Sequence, residues 1–149
     1  MILKEGYATI LSHDKTLQFA IDRQIVGQTT KTSPLISYPT SNGNPAELFH
    51  IVPDSENGAI HNILADGNAY LGIVGDIWPI NKNNMEGILI ACGVSFEERA
   101  FFILRDDNTL VITPGPGVPL GAAAWTDFVT VTWAHNAGDT VEFAFNYTS

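Results

Sequence analysis

The sequence predicts an all-β fold of twelve short strands, arranged as three repeats of four. Three observations lead there. Apolar residues come in short runs, often alternating with polar ones, and nothing has the pattern of a long amphipathic helix. Thirteen glycines and eight prolines interrupt the 149 residues too often for long helices. The apolar runs also recur in the same order three times, over approximately 5–54, 55–107 and 108–149.

The middle repeat is the clearest. Its first strand covers 58–64, a tight turn follows at Asp66-Gly67-Asn68, and the second strand covers 69–74. A loop over 75–87 leads to a third apolar run at 88–91, and 100–104 completes the unit. The first repeat places strands at 6–11, 17–21, 35–38 and 48–51, with Ile10 falling on Ile63 and Leu11 on Leu64. The third places them at 110–112, 120–123, 128–132 and 142–145, with a rigid turn at Pro114-Gly115-Pro116-Gly117. Phe143 then falls on Phe101 and Phe49, which predicts a threefold layer of phenylalanines in the core.

One such unit alone exposes an apolar face and unpaired strand edges. Three copies around an axis close a six-stranded barrel and cap one end with three hairpins, which removes the edges. That architecture is the β-trefoil. A propeller also has four-stranded blades, but three blades fall below its usual four to eight. No linker or low-complexity segment divides the repeats, so a single domain over 1–149 is expected.

Composition limits the function. Sixteen acidic residues against seven Lys and Arg give a net charge of -9, which repels phosphate backbones and anionic membrane surfaces. Nucleic acid and membrane insertion are therefore not expected, and no apolar run approaches the ~18 residues of a membrane span. The single cysteine, Cys92, lies in an apolar run and is expected to be a buried small hydrophobe. Freedom from internal disulfides, and an N-terminus without the long apolar region of a signal peptide, suit a cytoplasmic protein.

No catalytic constellation emerges. The histidines His13, His50, His61 and His135 form no metal-ligand pair, and no second cysteine assists them, so no metal and no cofactor are expected. His50 and His61 read as structural, while His13 and His135 fall in turns where a ligand is within reach. Glu97-Glu98-Arg99 and Arg105-Asp106-Asp107 read as solvated turns. Nucleophile-elbow and phosphate-loop motifs are absent, so the protein is expected not to be an enzyme.

Binding sites are sought instead in the loops after each second strand, which hold Asp22-Arg23-Gln24, Asp76-Ile77-Trp78 and Trp125-Thr126-Asp127. An acidic residue recurs in all three and a tryptophan lies beside it in two. A carboxylate accepting paired hydroxyls and an indole covering a ring face suit a sugar. The candidate carbohydrate-binding residues are Asp76, Trp78, Asn81, Asp22, Trp125 and Asp127. Asp and Asn also favour turns for backbone reasons alone, and the tryptophans serve equally as packing residues. A second reading is protease inhibition by the loop 22–34, where Arg23 or Lys31 would enter a trypsin-like pocket. A third is an interface patch at Ile77, Trp78, Pro79 and Ile80, fitted to a larger protein subunit.

The twelve-strand pattern resembles fungal β-trefoil proteins of the ricin-B-like lectin superfamily, and also the cytosolic fungal protease inhibitors of that fold. The chain departs from the ricin type in one respect. Phe49-His50-Ile51, Phe101-Phe102-Ile103 and Phe143-Ala144-Phe145 stand where those lectins carry Gln-x-Trp, so no galactose-site residue carries over. Size, acidity and the missing motif make it look most like the lectin-like light subunits that accompany mushroom tyrosinase, and their mannose-binding relatives. The resemblance implies a non-catalytic protein with affinity for mannose and a copper-oxidase partner that holds the copper itself.

Overall fold

Alternation of apolar and polar residues, cut by turn formers, produces the short β-strands that dominate the computed structural model. The described residues are 3–21, 33–43, 47–65, 68–74, 89–113, 118–125, 128–133 and 141–148. Among them are twelve strands: β1 (Gly6–Ser12), β2 (Leu17–Ile21), β3 (Ser33–Pro39), β4 (Phe49–Pro53), β5 (His61–Ala65), β6 (Ala69–Val74), β7 (Leu89–Val94), β8 (Phe101–Leu104), β9 (Leu110–Thr113), β10 (Val118–Trp125), β11 (Phe128–Trp133) and β12 (Phe143–Tyr147). Two single 3-10 turns, Thr40–Asn42 and Phe96–Glu98, are the other regular elements described. The protein is all-β, and every strand pairing described is antiparallel.

Five strands follow one another by pairing: β1 with β4, β4 with β5, β5 with β8, and β8 with β9. β12 pairs with the other side of β1 from Ala8↔Tyr147 to Ser12↔Phe143. A bridge between Thr109 and Glu142, with the Phe143 N–H donating to the Asn108 carbonyl at 2.7 Å, links the approach to β12 with the approach to β9. β1, β4, β5 and β8 each have a described partner strand on both sides, and β9 pairs with β10 as well as β8, which leaves few of their edge groups unpaired. The other six form the hairpins β2–β3, β6–β7 and β10–β11, and these also pair with one another, β3 with β7, β3 with β11 and β7 with β11.

The register recurs along these pairings. Ile51 lies opposite Ile63, Leu104 opposite Leu110, and Phe145 opposite Ile10. Two residues back on each fourth strand, Ala8 faces Phe49, His61 faces Phe102, and Asn108 bonds to Phe143. Phe49, Phe102 and Phe143 are all fully buried in one apolar cluster that includes Ile10, Ile51, Ile63, Leu104 and Leu110. Phe19 from β2 stacks on Phe143 with centroids 4.8 Å apart.

This register corrects one alignment. Phe102, not Phe101, is the counterpart of Phe49 and Phe143. Phe101 is half-buried, and Arg99 lies over its ring at 4.9 Å. In a Phe-Phe pair, alternation alone does not say which ring points inward; the pairing His61↔Phe102 settles it. Cys92 is buried, as expected, with its thiol 3.7 Å from the Ala69 carbonyl oxygen.

Candidate functional site

A concavity opens where β1 turns into β2, beside the approach to β12. It is a cleft of about 340 Å³ lined by Ser12, His13, Asp14, Thr16, Leu17, Val141 and Glu142. Local chemistry builds its wall. Lys15 adopts a left-handed conformation (φ 66°), so the chain reverses tightly and the Lys15 N–H donates to the Ser12 carbonyl at 2.8 Å. Asp14 Oδ1 collects three donors: Ser12 Oγ at 2.7 Å, Thr16 Oγ1 at 2.7 Å and the Thr16 N–H at 3.0 Å. Ser12 Oγ in turn accepts the Leu17 N–H at 3.0 Å. The opposite wall is fixed by the His13 N–H, which donates to the Glu142 carbonyl at 2.8 Å.

These donors favour the ionised carboxylate, the Thr16 hydroxyl most of all, and hold Asp14 at about 2. The imidazole of His13 and the carboxylate of Glu142 are exposed and have no side-chain partner among the described residues. Leu17 and Val141 are half-buried and supply apolar surface between these polar groups. The cleft thus offers two carboxylates, an imidazole and two hydroxyls around a small apolar patch. Such a set has the hydrogen-bonding groups that a small polar molecule would meet.

The Asp14 wiring occurs a second time. In the turn before β9, Asp107 Oδ1 accepts Thr109 Oγ1 at 2.6 Å and the Thr109 N–H at 3.0 Å, and Asn108 is left-handed at φ 69°. The shared pattern Asp-x-Thr, Asp14-Lys15-Thr16 and Asp107-Asn108-Thr109, is visible in the sequence. Of the cleft residues, His13 alone is one that the sequence places within reach of a ligand; Asp14, Thr16 and Glu142 carry no such expectation.

A second polar cluster is structural. Arg99 was expected in a solvated turn, but only 5% of its side chain is exposed, and its Nε donates to Asp54 Oδ1 at 2.6 Å. Arg99 Nη2 also reaches Glu56 at 2.9 Å, and Nη1 donates to the Phe96 carbonyl at 2.7 Å. The guanidinium lies 3.8 Å over the Phe96 ring. Asp54 Oδ2 further accepts the N–H groups of Glu56 and Asn57. The Arg99 hydrogen bond is the main reason Asp54 is held at about 2, and the same partner raises Arg99 above its usual range. A charge run in the sequence did not reveal that one of its three members turns inward.

No family model and no curated protein matches the chain. Among solved structures it is similar to a salivary protein from Culex quinquefasciatus of the Cysteins and Tryptophan-Rich (CWRC) family, with a TM-score of 0.59 and 11% identity over 99% of this chain and 96% of that one. At that identity the likeness concerns the fold.

The sequence-derived sugar residues Asp22, Asp76, Trp78, Asn81 and Asp127 lie outside the described residues, as do Arg23 and Lys31 of the inhibitor reading and the patch at 77–80. Trp125 is placed at the end of β10, opposite Phe128. His135 also lies outside. His50 is half-buried and stacks face to face on the exposed Tyr7, with centroids 4.2 Å and planes 5° apart. Burial lowers the pKa of His61. Among the described residues no group of His, Cys, Asp and Glu is arranged to hold a metal ion, and no helix is long and apolar enough to cross a membrane.

Proposed function

We propose that the chain is a β-trefoil that works by binding, with carbohydrate as its ligand and without catalysis. Support for the trefoil is the threefold recurrence of one register, Ile51↔Ile63, Leu104↔Leu110 and Phe145↔Ile10, together with three hairpins paired to one another. Support for a sugar is the cleft of Ser12, His13, Asp14, Thr16 and Glu142 over Leu17 and Val141, held by backbone and side-chain hydrogen bonds before any ligand arrives. Carboxylates and hydroxyls bind a pyranose through its hydroxyls, and the apolar patch meets its C–H face. The loops with Asp76, Trp78 and Trp125 would add subsites of the same kind. A role as a lectin-like accessory subunit of a larger enzyme such as tyrosinase is compatible with this binding.

Titration with mannose, galactose and a glycan array tests the proposal, read by tryptophan fluorescence and by amide shifts at the cleft. A saturable change with at least one simple sugar is expected. Silence across the array, combined with inhibition of trypsin or papain, would replace this reading with the inhibitor one.

A further inference from the structure

The connection between β4 and β5 holds an Asn-Gly pair, Asn57-Gly58, and the fold leaves it open to attack from within the chain. Both residues are exposed, in a turn closed by the Ile60 N–H donating to the Asn57 carbonyl at 3.2 Å. Gly58 is the second residue of that turn, whose own hydrogen bond does not use its N–H. Among the described residues the Gly58 N–H has no acceptor. Nothing crowds the site, since a Cβ at Gly58 would meet no atom within 4 Å. The Asn57 side chain is set as the electrophile. Its Oδ1 accepts the Ala59 N–H at 3.2 Å, so a donor already stands where negative charge develops when a nucleophile adds to Cγ. The same segment holds the Asp54 anchor. The N–H groups of Glu56 and Asn57 donate to Asp54 Oδ2 at 3.0 and 3.1 Å, and the Asp54 N–H donates to the Ile60 carbonyl at 2.9 Å.

We propose that Asn57 is a modification site: it deamidates through a cyclic imide formed with Gly58, and the isoaspartyl product detaches the β4–β5 connection from Asp54 and Arg99. The Gly58 nitrogen loses its proton to solvent and bonds to Asn57 Cγ. The Cγ–Nδ2 bond breaks, and Nδ2 leaves as ammonia with a proton from solvent. Water then opens the imide. Cleavage of the Cγ–N bond yields aspartate, and cleavage between the main-chain carbonyl carbon and that nitrogen yields isoaspartate. Only water is consumed. Isoaspartate carries the chain through Cβ and Cγ, which lengthens the backbone by a carbon and turns the carbonyl that Ile60 binds into a free carboxylate. The new negative charge arises on the residue whose N–H is bonded to Asp54, a like charge. This inference is independent of the carbohydrate-binding reading.

The test is a timed incubation of the full chain at about pH 8, where the attacking nitrogen loses its proton more readily. Peptide mass mapping reads the gain of about 1 Da at each event, and an isoaspartyl methyltransferase labels the isoaspartate. Isoaspartate is expected at position 57 in the folded chain, at a rate within about threefold of that in urea, because the turn already exposes both partners. Gly58→Ala is expected to keep the urea midpoint, since the site is open and Gly58 is not left-handed. It should slow the reaction at Asn57 about tenfold by adding a side chain beside the attacking nitrogen. Asn42-Gly43, the other Asn-Gly pair, is the internal standard in the same sample. The isolated isoaspartyl chain is expected to unfold at lower urea than Asn57→Asp, which has the charge without the extra backbone carbon. Reaction at Asn57 more than about tenfold slower in the folded chain than in urea overturns the proposal. So does aspartate formed without isoaspartate, which means direct hydrolysis. An isoaspartyl chain with the midpoint of Asn57→Asp overturns the release of the anchor. Should Gly58→Ala not fold, the comparison of folded and unfolded wild type still decides.

Discussion

Asp54 and Arg99 are the residues on which the connection between β4 and β5 is anchored. Only 1% of the Asp54 side chain is exposed, yet it stays ionised because Arg99 and two backbone N–H groups hold it. Removing one member of a buried pair costs far more than the pair contributes, because the remaining charge is stranded. Asp54→Asn is expected to lower stability by about 3 kcal/mol at neutral pH, measured as a shift in urea midpoint. The pH profile separates this from simple loss of packing. A carboxylate whose pKa falls from 3.8 to about 2 on folding stabilises fully above 3.8 and loses that contribution as pH drops toward 2. The gap between wild type and Asp54→Asn should therefore be wide at pH 5 and narrow steadily below pH 4. A constant gap down to pH 2 would mean that the charge contributes nothing. In the sequence, Arg99 was indistinguishable from its neighbours Glu97 and Glu98, which are indeed exposed. Its direction was set by Asp54, forty-five residues away, a separation that no local pattern encodes. Asp14 was hidden differently. Its Asp-x-Thr spacing was legible, but the facing Glu142 comes from the other end of the chain.

At the scale of elements, the strand pattern was almost fully legible because each strand alternates or forms a short apolar run bounded by turn residues. The sequence-derived segments 17–21, 69–74 and 128–132 match β2, β6 and β11 to within a residue. What was not legible was how closely neighbouring elements approach. Gly72 in β6 pairs with Ala91 of β7 and bridges to Arg99. A Cβ there would stand 2.5 Å from the Glu98 carbonyl oxygen and 2.5 Å from Val94 Cγ2. Neither contact is tolerable, and the carbonyl belongs to the 3-10 turn Phe96–Glu98 that presents Arg99 to Asp54. Gly72→Ala is expected to destabilise the protein by about 1–3 kcal/mol through overpacking, seen as a lower midpoint in urea. Hydrogen exchange should quicken first at Ala100, whose N–H donates to the Leu71 carbonyl at 2.9 Å. An unchanged midpoint would show that the turn moves aside without cost.

Across the whole molecule, the inner faces of β1, β4, β5, β8, β9 and β12 share one apolar cluster. Each strand fills a place that no other described strand duplicates, so stability should be cooperative rather than graded along the chain. A chain ending at Glu142 lacks β12. It loses Phe143, 1% exposed and stacked on Phe19, and leaves the β1 edge open from Ala8 to Ser12. Such a chain is expected to lack a native-like dispersed proton spectrum and to aggregate, rather than to fold with slightly lower stability. A dispersed, monomeric spectrum from it would mean that the eleven remaining described strands suffice. The sequence revealed the recurrence of the repeats, since the apolar runs return in order. It did not fix their relative phase at Phe101-Phe102, where two adjacent rings satisfied the same period and only a cross-strand partner distinguished them.

The partnership of β1 with β12 also sets an order of events during synthesis. Of the twelve described strands β1 is made first, yet the neighbour that covers one of its sides, from Ala8 to Ser12, is made last of them. While the ten strands between them are made, the nascent polypeptide carries a half-satisfied strand made of Tyr7-Ala8-Thr9-Ile10-Leu11. Final sealing waits on a contact of very long sequence separation, the slowest kind to find, and in that interval chaperones have their main opportunity to engage it.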